Sequence, residues 1–447
     1  MTIAVIGGLA AGPAAAAEAK RRAPDAEVIL FEQGPHVSVG TCEMPYRIGG
    51  VVDDDLEVYT PESLAAKKGI TVHIRHRVTA LDPKGSLTVE SLDFGSTREV
   101  RFDRAILATG ARARTLPGDP PAGVFTVRDL VDTEHIERWL ATEPVRHVVV
   151  VGGGYIGVEM AEAMRERGVR ASILDPSGRV LNATVACEAS DLMTQAVHAA
   201  GVAVRAERAT DLLADDAGRV RAVRTDRGEL IGCQMVIVSI GVEPRTELVQ
   251  AAGIRLGPMG GIAVDDQMRT SARRVYACGD AVEVPRAPDG KRILWPLATT
   301  ARRTARVAAR NAVKPGSDMF QPIAGAVAVR AFGIEVGSVG LSLARAVEAG
   351  LDAVAADIRH SSRTRVFPGA SPIDVRLVVE RRTGRILGGQ LVGAEGAALR
   401  ANVLVPLIQS GGTARQLAED LDLIYNPPLA PAVDPLKVAA SRAMDLV

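Results

Sequence analysis

A glycine loop in the middle of the chain constrains the fold more than any other segment. The run HVVVVGGGYIGVEMAEAMRERG has an apolar stretch before Gly152, Gly154 and Gly157 and a helix-forming stretch after them. In this order the first glycine permits a tight turn, the second lets a pyrophosphate approach the backbone, and the third lets helix and strand pack closely. The segment therefore predicts a strand, a turn and a helix whose N-terminus binds a dinucleotide.

A second loop of this kind lies at the N-terminus. Residues 2–6, TIAVI, form an apolar stretch before Gly7 and Gly12, and the helical run AAAAEAKRR follows. Leu9 replaces the middle glycine, but VILFEQ ends another predicted strand at Glu32, where a carboxylate can accept hydrogen bonds from ribose hydroxyls. The pattern predicts a second dinucleotide site. The alternative is a Gly/Ala-rich helix entry, with Glu32 as a solvated charge.

Two dinucleotide sites in one chain suggest one bound flavin and one exchanging nicotinamide coenzyme, because hydride must pass between two rings held face to face. Asp175 closes the strand ASILD that follows the second loop. A carboxylate at this place accepts from a free 2′-hydroxyl and repels a 2′-phosphate, which favours NADH over NADPH. Arg179, slightly further on, is a cation that would soften this preference, so NADPH stays open as an alternative.

Size and composition favour small-molecule chemistry on an α/β fold. A chain of 447 residues with 47% apolar residues and 44 glycines exceeds the size of one hydrophobic core, so two or three domains are expected. The 53 basic and 53 acidic residues cancel, and no polybasic block indicates a nucleic-acid or anionic-membrane surface. The sequence contains no long uncharged apolar stretch of the kind that predicts a membrane-spanning helix.

Cys42, in VSVGTCEMPYRIGG, is the candidate redox group. The other cysteines, Cys187, Cys233 and Cys278, lie far from it in sequence. A free thiol has a pKa of about 8.5, and a nearby helix N-terminus lowers it toward neutrality, which produces the thiolate needed for exchange chemistry. The segment that follows Cys42 is predicted to supply such a helix start.

The compartment is predicted to be a reducing cytoplasm. The cysteines form no CxxC pair, so we expect neither a disulfide framework nor a metal site. The opening MTIAVIGGLAAGPAAAAEAKRR superficially resembles a secretory signal. It has no positive charge before its apolar part, and its glycines are placed as a phosphate-binding loop requires.

These motifs resemble the pyridine nucleotide-disulfide oxidoreductase family, in its single-cysteine branch of coenzyme A-disulfide reductases, NADH oxidases, NADH peroxidases and persulfide reductases. The resemblance covers the whole chain. Beyond the two loops it rests on ILATGA (106–111), VSIGVEP (238–244), VYACGDA (275–281), WPLATTARRTARVAARN (295–311) and LIYNPPLAPAVDP (423–435).

The resemblance implies three domains and a homodimer. An FAD-binding domain would comprise residues 1–114 and 245–322, with an NAD(P)H-binding domain, 115–244, inserted between its halves. An α+β dimerisation domain, 323–447, would follow. Its tail is expected to deliver Tyr425 into the active site of the partner subunit, so that the site is completed across the interface.

The loops and the resemblance together imply three sets of site residues. The FAD set is Gly7, Gly8, Leu9, Ala10, Ala11, Gly12, Glu32, Gln33, Thr41, Val78, Ala108, Thr109, Gly110, Gly279, Asp280, Leu297 and Ala298. The nicotinamide set is Gly152, Gly154, Tyr155, Ile156, Gly157, Glu159, Asp175 and Gly241. The substrate set, with coenzyme A among the candidate ligands, is Arg22, Ser38, Lys67, Lys68, Arg302, Arg303 and Phe367. In these sets Tyr155 is expected to shield the flavin until NADH displaces it, and Glu159 to lie near the nicotinamide.

Within the single-cysteine branch, the leading hypothesis is a disulfide or persulfide reductase. NADH would reduce FAD, and FAD would reduce a mixed disulfide, persulfide or coenzyme A adduct at Cys42. Where two-cysteine members have CxxxxC, this chain has Arg47, which excludes an internal disulfide at this helix. Tyr425 from the other subunit is the expected proton donor to the leaving thiolate.

Four positions depart from the family pattern near the expected thiol pocket. Thr41 stands in place of an asparagine, Glu43 of a glycine, Phe367 of a tyrosine and Ala430 of a serine. The charge of Glu43 would raise the thiol pKa. The loss of hydroxyls favours a substrate other than coenzyme A disulfide.

Other functions remain open. An NADH oxidase or peroxidase would use oxygen or peroxide as the acceptor, but related enzymes have a histidine in the first loop, where this chain has Leu9, Ala10 and Ala11. A flavin-bound redox sensor or interaction protein without turnover is a hypothesis of another class. An electron-carrier reductase needs no cysteine beside the flavin, so Cys42 argues against it.

Overall fold

The computed structural model describes residues 1–53 and 55–447. The segment before residue 115 contains the first glycine loop, and Cys42 lies in a short 3-10 turn, Thr41–Glu43. Its helices and strands are β1 (Thr2–Ile6), α1 (Ala11–Arg22), β2 (Glu27–Phe31), α2 (Met44–Gly49), α3 (Pro61–Lys68), β3 (Thr71–His73), β4 (His76–Asp82), β5 (Ser86–Ser91), β6 (Thr97–Arg101), β7 (Arg104–Leu107) and β8 (Ala111–Ala113).

The next segment, to residue 244, contains the second glycine loop. Its elements are β9 (Val124–Phe125), α4 (Leu130–Thr142), β10 (His147–Val151), α5 (Tyr155–Glu166), β11 (Arg170–Leu174), α6 (Cys187–Ala199), β12 (Ala203–Arg205), β13 (Ala209–Ala214), β14 (Val220–Thr225), β15 (Leu230–Gly232), β16 (Met235–Val238) and β17 (Val242–Pro244).

Two further segments complete the chain. The first contains α7 (Glu247–Ala251), β18 (Val275–Ala277), β19 (Glu283–Pro285), β20 (Arg292–Leu294) and α8 (Ala298–Val313). The second contains β21 (Ala326–Ala331), β22 (Ile334–Gly340), α9 (Leu343–Glu348), β23 (Ala353–Ser361), β24 (Pro372–Glu380), β25 (Ile386–Gly393), α10 (Ala397–Arg400), α11 (Leu404–Ser410) and α12 (Pro435–Met444). A π-helical turn, Gln416–Asp420, precedes the tail.

Two five-stranded parallel sheets form the framework of the nucleotide-binding part. The first has the strand order β18-β7-β1-β2-β3, and the second has the order β12-β11-β10-β16-β9. All five residues of β10 are buried. A strand buried on both faces is typical of a parallel sheet covered by helices, which explains the continuous valine run. Because β18 joins β7, a segment that follows the second sheet in sequence returns to the first sheet.

Smaller antiparallel sheets extend from these two layers. The strands β4, β5 and β6 form one three-stranded sheet, and β13, β14 and β15 form another. The pairs β8 with β17 and β19 with β20 form two-stranded sheets. Since β8 and β17 lie at the two chain crossings between the large sheets, their pairing ties both crossings together.

The C-terminal part is an antiparallel sheet of order β21-β22-β25-β24-β23. Leu391 packs with the α10, α11 and α12 side, whereas its neighbour Val392 packs into the core of the second parallel sheet. Adjacent residues of a strand point to opposite faces, so the sheet separates the C-terminal helices from the nucleotide-binding part. The hairpin predicted at 381–384 connects β24 and β25, with Gly384 at φ +64°.

The α/β fold with two dinucleotide-binding units and a C-terminal dimerisation-type domain is confirmed. The individual domain bounds stay a prediction. In the part of the chain that the structure describes, no helix combines the length and the apolar character that crossing a membrane requires.

Both glycine loops contain the same close backbone contact. Gly7 and Gly152 each have φ +105°, a conformation that side chains disfavour. A Cβ atom on Gly7 would lie 2.1 Å from the carbonyl oxygen of Ala108, and one on Gly152 would lie 2.4 Å from that of Ser239. In each unit the chain therefore turns, after its first strand, against the backbone that follows the neighbouring parallel strand. Only glycine permits this approach.

We predict that Gly7→Ala destabilises the protein by roughly 3 kcal/mol or more, because it adds a backbone clash to an unfavourable φ. Gly95 is a matched control, since it has φ +65° with nothing within 4 Å of an added Cβ. Gly95→Ala should cost only about 1 kcal/mol. Urea unfolding of both variants measures the difference, and equal losses would contradict the clash.

Candidate active site

A cavity of about 810 Å³ lies where the carboxyl end of the first sheet faces the N-terminus of α5. Every member of the predicted FAD set lines it except Gly12. Cys42 and three members of the nicotinamide set, Tyr155, Ile156 and Glu159, line the same cavity. The site residues predicted from both loops thus converge on one space, within the volume range of cofactor sites.

Gly12 has a different place, inside the first turns of α1. A Cβ atom there would lie 1.7 Å from the carbonyl oxygen of Gly7. Its absence of a side chain lets α1 approach β1, which is the packing role expected of the third loop glycine.

The residues at the cavity fit the dinucleotide that the first loop predicts. The helix α1 begins beside the cavity without a side-chain cap and without an acidic residue in its first turn. The helix α8 begins there in the same way, after Leu297. Uncapped N-terminal amides are unsatisfied donors that favour an anion. These two helix starts therefore suit the pyrophosphate and polar chain of FAD.

Glu32 is fixed at the edge of this cradle. Its carboxylate accepts hydrogen bonds from the backbone amides of Gly8 at 2.5 Å and Gly34 at 2.7 Å. Burial raises the pKa of Glu32, and the two amide bonds oppose that rise. The carboxylate thus lies beside the glycine loop, where the sequence predicts a contact with ribose hydroxyls.

Cys42 lies in the 3-10 turn immediately before α2, so the predicted helix start is present. The thiol is accessible from the cavity. Its pKa is nevertheless raised, first by partial desolvation and then by the charges of Glu43, Glu159 and Asp280, against a hydrogen bond with Thr41 that lowers it. The expectation that the helix start lowers the thiol pKa is therefore wrong, because desolvation and three carboxylates dominate.

Glu159, on α5, is the most perturbed carboxyl group at the cavity. Burial, with a contribution from Glu162, raises the pKa of Glu159 to about 7. Tyr155 shares this wall, and its pKa is raised by burial and then by Asp280. A carboxyl group that titrates near neutrality beside a thiol can hold or release a proton at physiological pH.

Tyr46 and Arg128 are among the cavity residues that the sequence analysis missed. Tyr46 lies one helical turn after Cys42, and burial followed by the charge of Glu159 raises its pKa. The spacing from Cys42 along a helix could have indicated it. Arg128 donates to Asp280 at 2.9 Å and to the backbone oxygen of Ala111 at 2.9 Å. No sequence motif marks that arginine.

The rest of the nicotinamide set lies around the second loop, away from the lining of the cavity. Gly154 precedes the uncapped start of α5, and Gly157 lies in its first turn. Asp175 accepts a hydrogen bond from the amide of Gly153 at 3.0 Å. Gly241, at φ +101°, lies between β16 and β17. The second loop therefore has the same free amides and adjacent carboxylate as the first.

The predicted substrate set is not gathered at the cavity. Arg22 pairs with Glu18 at 3.1 Å, and the guanidinium of Arg303 lies 4.9 Å from the ring centre of Phe320. The ammonium groups of Lys67 and Lys68 lie 5.9 and 5.8 Å from the Tyr59 ring centre. Arg302 is exposed, and Ser38 donates its backbone N–H to Gly8 at 2.8 Å.

Tyr425 and Phe367 lie outside the cavity of their own chain, 54% and 38% exposed. Their two loops are joined, because the amide of Thr364 donates to the oxygen of Pro427 at 3.2 Å. Arg400 strengthens the junction by pairing with Asp434 at 2.7 Å and donating to the oxygen of Ser362 at 3.2 Å. The structure thus presents both aromatic side chains on one outward-facing surface.

Comparisons with known proteins define the family to which the chain belongs. Residues 1–311 match the pyridine nucleotide-disulphide oxidoreductase family, and residues 327–436 match its dimerisation domain. The chain belongs to the pyridine nucleotide-disulphide oxidoreductase family, as the sequence motifs predicted.

Several relatives resemble the chain over its full length. An NAD(P)H coenzyme A polysulfide/persulfide reductase of Pyrococcus horikoshii is 33% identical, covering 98% of this chain and 97% of the relative. An NADH oxidase of Enterococcus faecalis is 30% identical and covers 100% of both chains. A coenzyme A disulfide reductase of Staphylococcus aureus is 27% identical over 99% of both.

Solved structures of similar enzymes also match the chain over its full length. An NAD-dependent persulfide reductase from A. fulgidus has a TM-score of 0.95 and 33% identity, covering 100% of this chain and 83% of that one. A water-forming NADH oxidase from Lactobacillus brevis bound to NADH has a TM-score of 0.93 and 27% identity, covering 100% and 98%. FAD and NAD(P)H are thus the coenzymes of this fold, in agreement with the prediction.

We predict that Glu43→Gln lowers the midpoint pH for alkylation of Cys42, because it removes a carboxylate that disfavours the thiolate. The measurement is the rate of iodoacetamide labelling against pH, in a Cys187→Ser background that removes the other exposed thiol. The control is Glu348→Gln, an exposed charge on α9. If both variants titrate alike, Glu43 does not act on the thiol.

Proposed function

We propose that this chain is an FAD-dependent reductase that uses NADH to reduce a small disulfide or persulfide through Cys42. The observation that carries the proposal is that one thiol opens into the same cavity as the free helix starts of both glycine loops. Among the described residues, the other free cysteines, Cys187, Cys233 and Cys278, do not line that cavity. The partner sulfur must then come from the substrate.

The overall reaction balances as RS–SR′ + NADH + H⁺ giving RSH + R′SH + NAD⁺. Bound FAD would supply two-electron transfer between the nicotinamide and the sulfur. The Cys42 thiolate attacks one sulfur of RS–SR′, forms Cys42–SR and releases R′S⁻. The carboxyl group of Glu159, with a pKa of about 7, can accept the thiol proton before this attack.

The second subunit is proposed to complete the active site. Family members of this kind carry a dimerisation domain, and this chain matches one. Tyr425 is exposed and does not line the cavity of its own chain, which supports Tyr425 of the partner subunit as our candidate donor to the leaving thiolate. The proposed domains are 1–114 with 245–322, 115–244 and 323–447.

The proposed acceptor class is a coenzyme A-type persulfide or disulfide. Its support is the printed function of several relatives, which act on coenzyme A persulfide or disulfide. The basic residues Arg22, Lys67, Lys68, Arg302 and Arg303 do not line the cavity, so the proposal for the acceptor rests on the relatives and not on a phosphate site.

A second candidate is oxygen as the acceptor, since other relatives are NADH oxidases. The first loop offers only the hydrocarbon side chains of Leu9, Ala10 and Ala11 to the cavity. This lining provides no acid or base from the loop for peroxide chemistry, which favours the sulfur acceptor. Oxygen consumption with NADH in the absence of any disulfide measures the oxidase directly.

We predict that Cys42→Ser lowers kcat for NADH-dependent reduction of coenzyme A disulfide or persulfide by about 10³-fold or more, because the nucleophile is lost. Bound FAD, measured by its absorbance after heat release, should stay at the wild-type ratio. Cys187→Ser, at the other exposed cysteine, should keep full activity. If the Cys42→Ser enzyme still turns over the disulfide, the thiol mechanism is wrong.

We also predict complementation between inactive subunits. When Cys42→Ser and Tyr425→Phe chains are coexpressed with separate tags, the heterodimer has one intact site, made of Cys42 from one chain and Tyr425 from the other. A random mixture should therefore recover about a quarter of the wild-type rate. Purified heterodimers that recover nothing, while each parent dimer folds and retains FAD, would show that Tyr425 acts within its own chain, and an active Tyr425→Phe dimer would show that it does not act at all.

A further inference from the structure

The choice between NADH and NADPH depends on the turn that follows β11. Asp175 begins this turn, and its carboxylate accepts from the amide of Gly153 at 3.0 Å and from the amide and hydroxyl of Ser177 at 2.9 and 2.6 Å. All these bonds fix the carboxylate beside the second glycine loop. A negative charge held in this way favours a 2′-hydroxyl over a 2′-phosphate.

The backbone of Arg179 lies at the same place. A Cβ atom added to Gly153 would lie 3.1 Å from Oδ2 of Asp175 and 3.2 Å from the carbonyl oxygen of Arg179. Oγ of Ser177 also lies 3.1 Å from that carbonyl oxygen. The backbone of Arg179 therefore lies within a few ångströms of the Asp175 carboxylate. An arginine side chain that starts there is long enough to reach a 2′-phosphate beside that carboxylate.

The guanidinium of Arg179 is instead directed to the helix α6. Its Nε lies 2.8 Å from Oδ1 of Asp191, and the two side chains are 42% and 45% exposed. Asp191 thereby removes the one cation of this turn from the coenzyme side and neutralises it. The carboxylate of Asp175 is left as the uncompensated charge.

The turn is fixed to α6, so this orientation is built into the fold. The amide of Val180 donates to the hydroxyl of Thr194 at 3.0 Å, and the hydroxyl of Ser190 donates to the carbonyl oxygen of Val180 at 2.6 Å. Val180 is fully buried. Because residues on either side of Asp191 in α6 bind the residue after Arg179, the two charged side chains are held on neighbouring backbone segments.

We propose that Asp191 is a specificity-determining positioning residue: by pairing with Arg179 it keeps the nicotinamide site selective for NADH. It does not touch the coenzyme and acts only through Arg179. The inference rests on the proposed function, since it assigns the second glycine loop to a nicotinamide coenzyme. It goes further by assigning the selectivity to a residue of α6 outside the strand-loop-helix motif.

The test is the affinity of the FAD-containing enzyme for NAD⁺ and NADP⁺, measured by isothermal titration calorimetry. Asp191→Asn keeps the shape of the side chain and removes its charge. It should lower Kd for NADP⁺ on the order of tenfold, as one charge-assisted contact to phosphate would, with less than about a twofold change for NAD⁺. The gain should shrink as salt is raised, because the new contact is solvent-accessible.

A double-mutant cycle isolates the route of the effect. Arg179→Ala alone should leave NADP⁺ affinity nearly unchanged, because the arginine is already engaged, whereas Arg179→Ala with Asp191→Asn should abolish the gain. The matched control is Asp211→Asn, an exposed acid on β13, in a separate three-stranded sheet, that pairs with Arg224 at 3.8 Å. It removes the same net charge and should not alter the NADP⁺ to NAD⁺ ratio.

Three results would overturn the inference. An unchanged ratio in Asp191→Asn, or a gain that persists without Arg179, would show that the pair does not control selectivity. An equal gain in Asp211→Asn would reduce the effect to net charge. If the wild-type enzyme binds neither coenzyme, the proposed function itself fails and the inference with it, whereas binding without a shift of the ratio refutes the inference alone.

Discussion

The packing of α2 against α5 is the contact on which the geometry of the site depends. The helix α2, which follows Cys42, contributes Met44 and Ile48 to the hydrophobic core of the second parallel sheet rather than to that of the first. A Cβ atom on Gly49 would lie 3.2 Å from the backbone of Ala163, so the two helices approach closely. Arg167, just after α5, also donates to the oxygen of Ile48. The thiol is therefore positioned by the unit that carries the nicotinamide loop.

This arrangement explains the departure at Leu9. In the first loop the middle glycine of the motif is replaced by a leucine, and its side chain packs against the core of the second unit. The residue that leaves the motif thus gains an apolar contact between the two units, while Gly7 and Gly12 keep the two backbone approaches that the turn requires. Burial of the leucine side chain against the neighbouring core is favourable, and it holds the first loop close to α5.

Much of the fold was predictable from the sequence because local physics decides it. The strands before both loops, the helices after them and the hairpin at 381–384 follow from hydrophobic runs and glycine positions, and these predictions are confirmed. The placement of Tyr46 and Arg128 at the cavity was not predicted, because it depends on how the units pack. Long-range packing leaves no periodic signal in one sequence, whereas a turn that only glycine can form does.

The error in the direction of the Cys42 pKa has the same origin. A helix start next to a thiol is visible in the sequence, and its effect alone would favour the thiolate. The carboxylates of Glu159 and Asp280 come from distant segments, and they approach the sulfur only because α5 and the turn at Gly279–Ala281 face the same cavity. Burial of the sulfur and these carboxylates all disfavour the thiolate, so the direction of the Cys42 pKa is set by the packing of distant segments and not by the helix start alone.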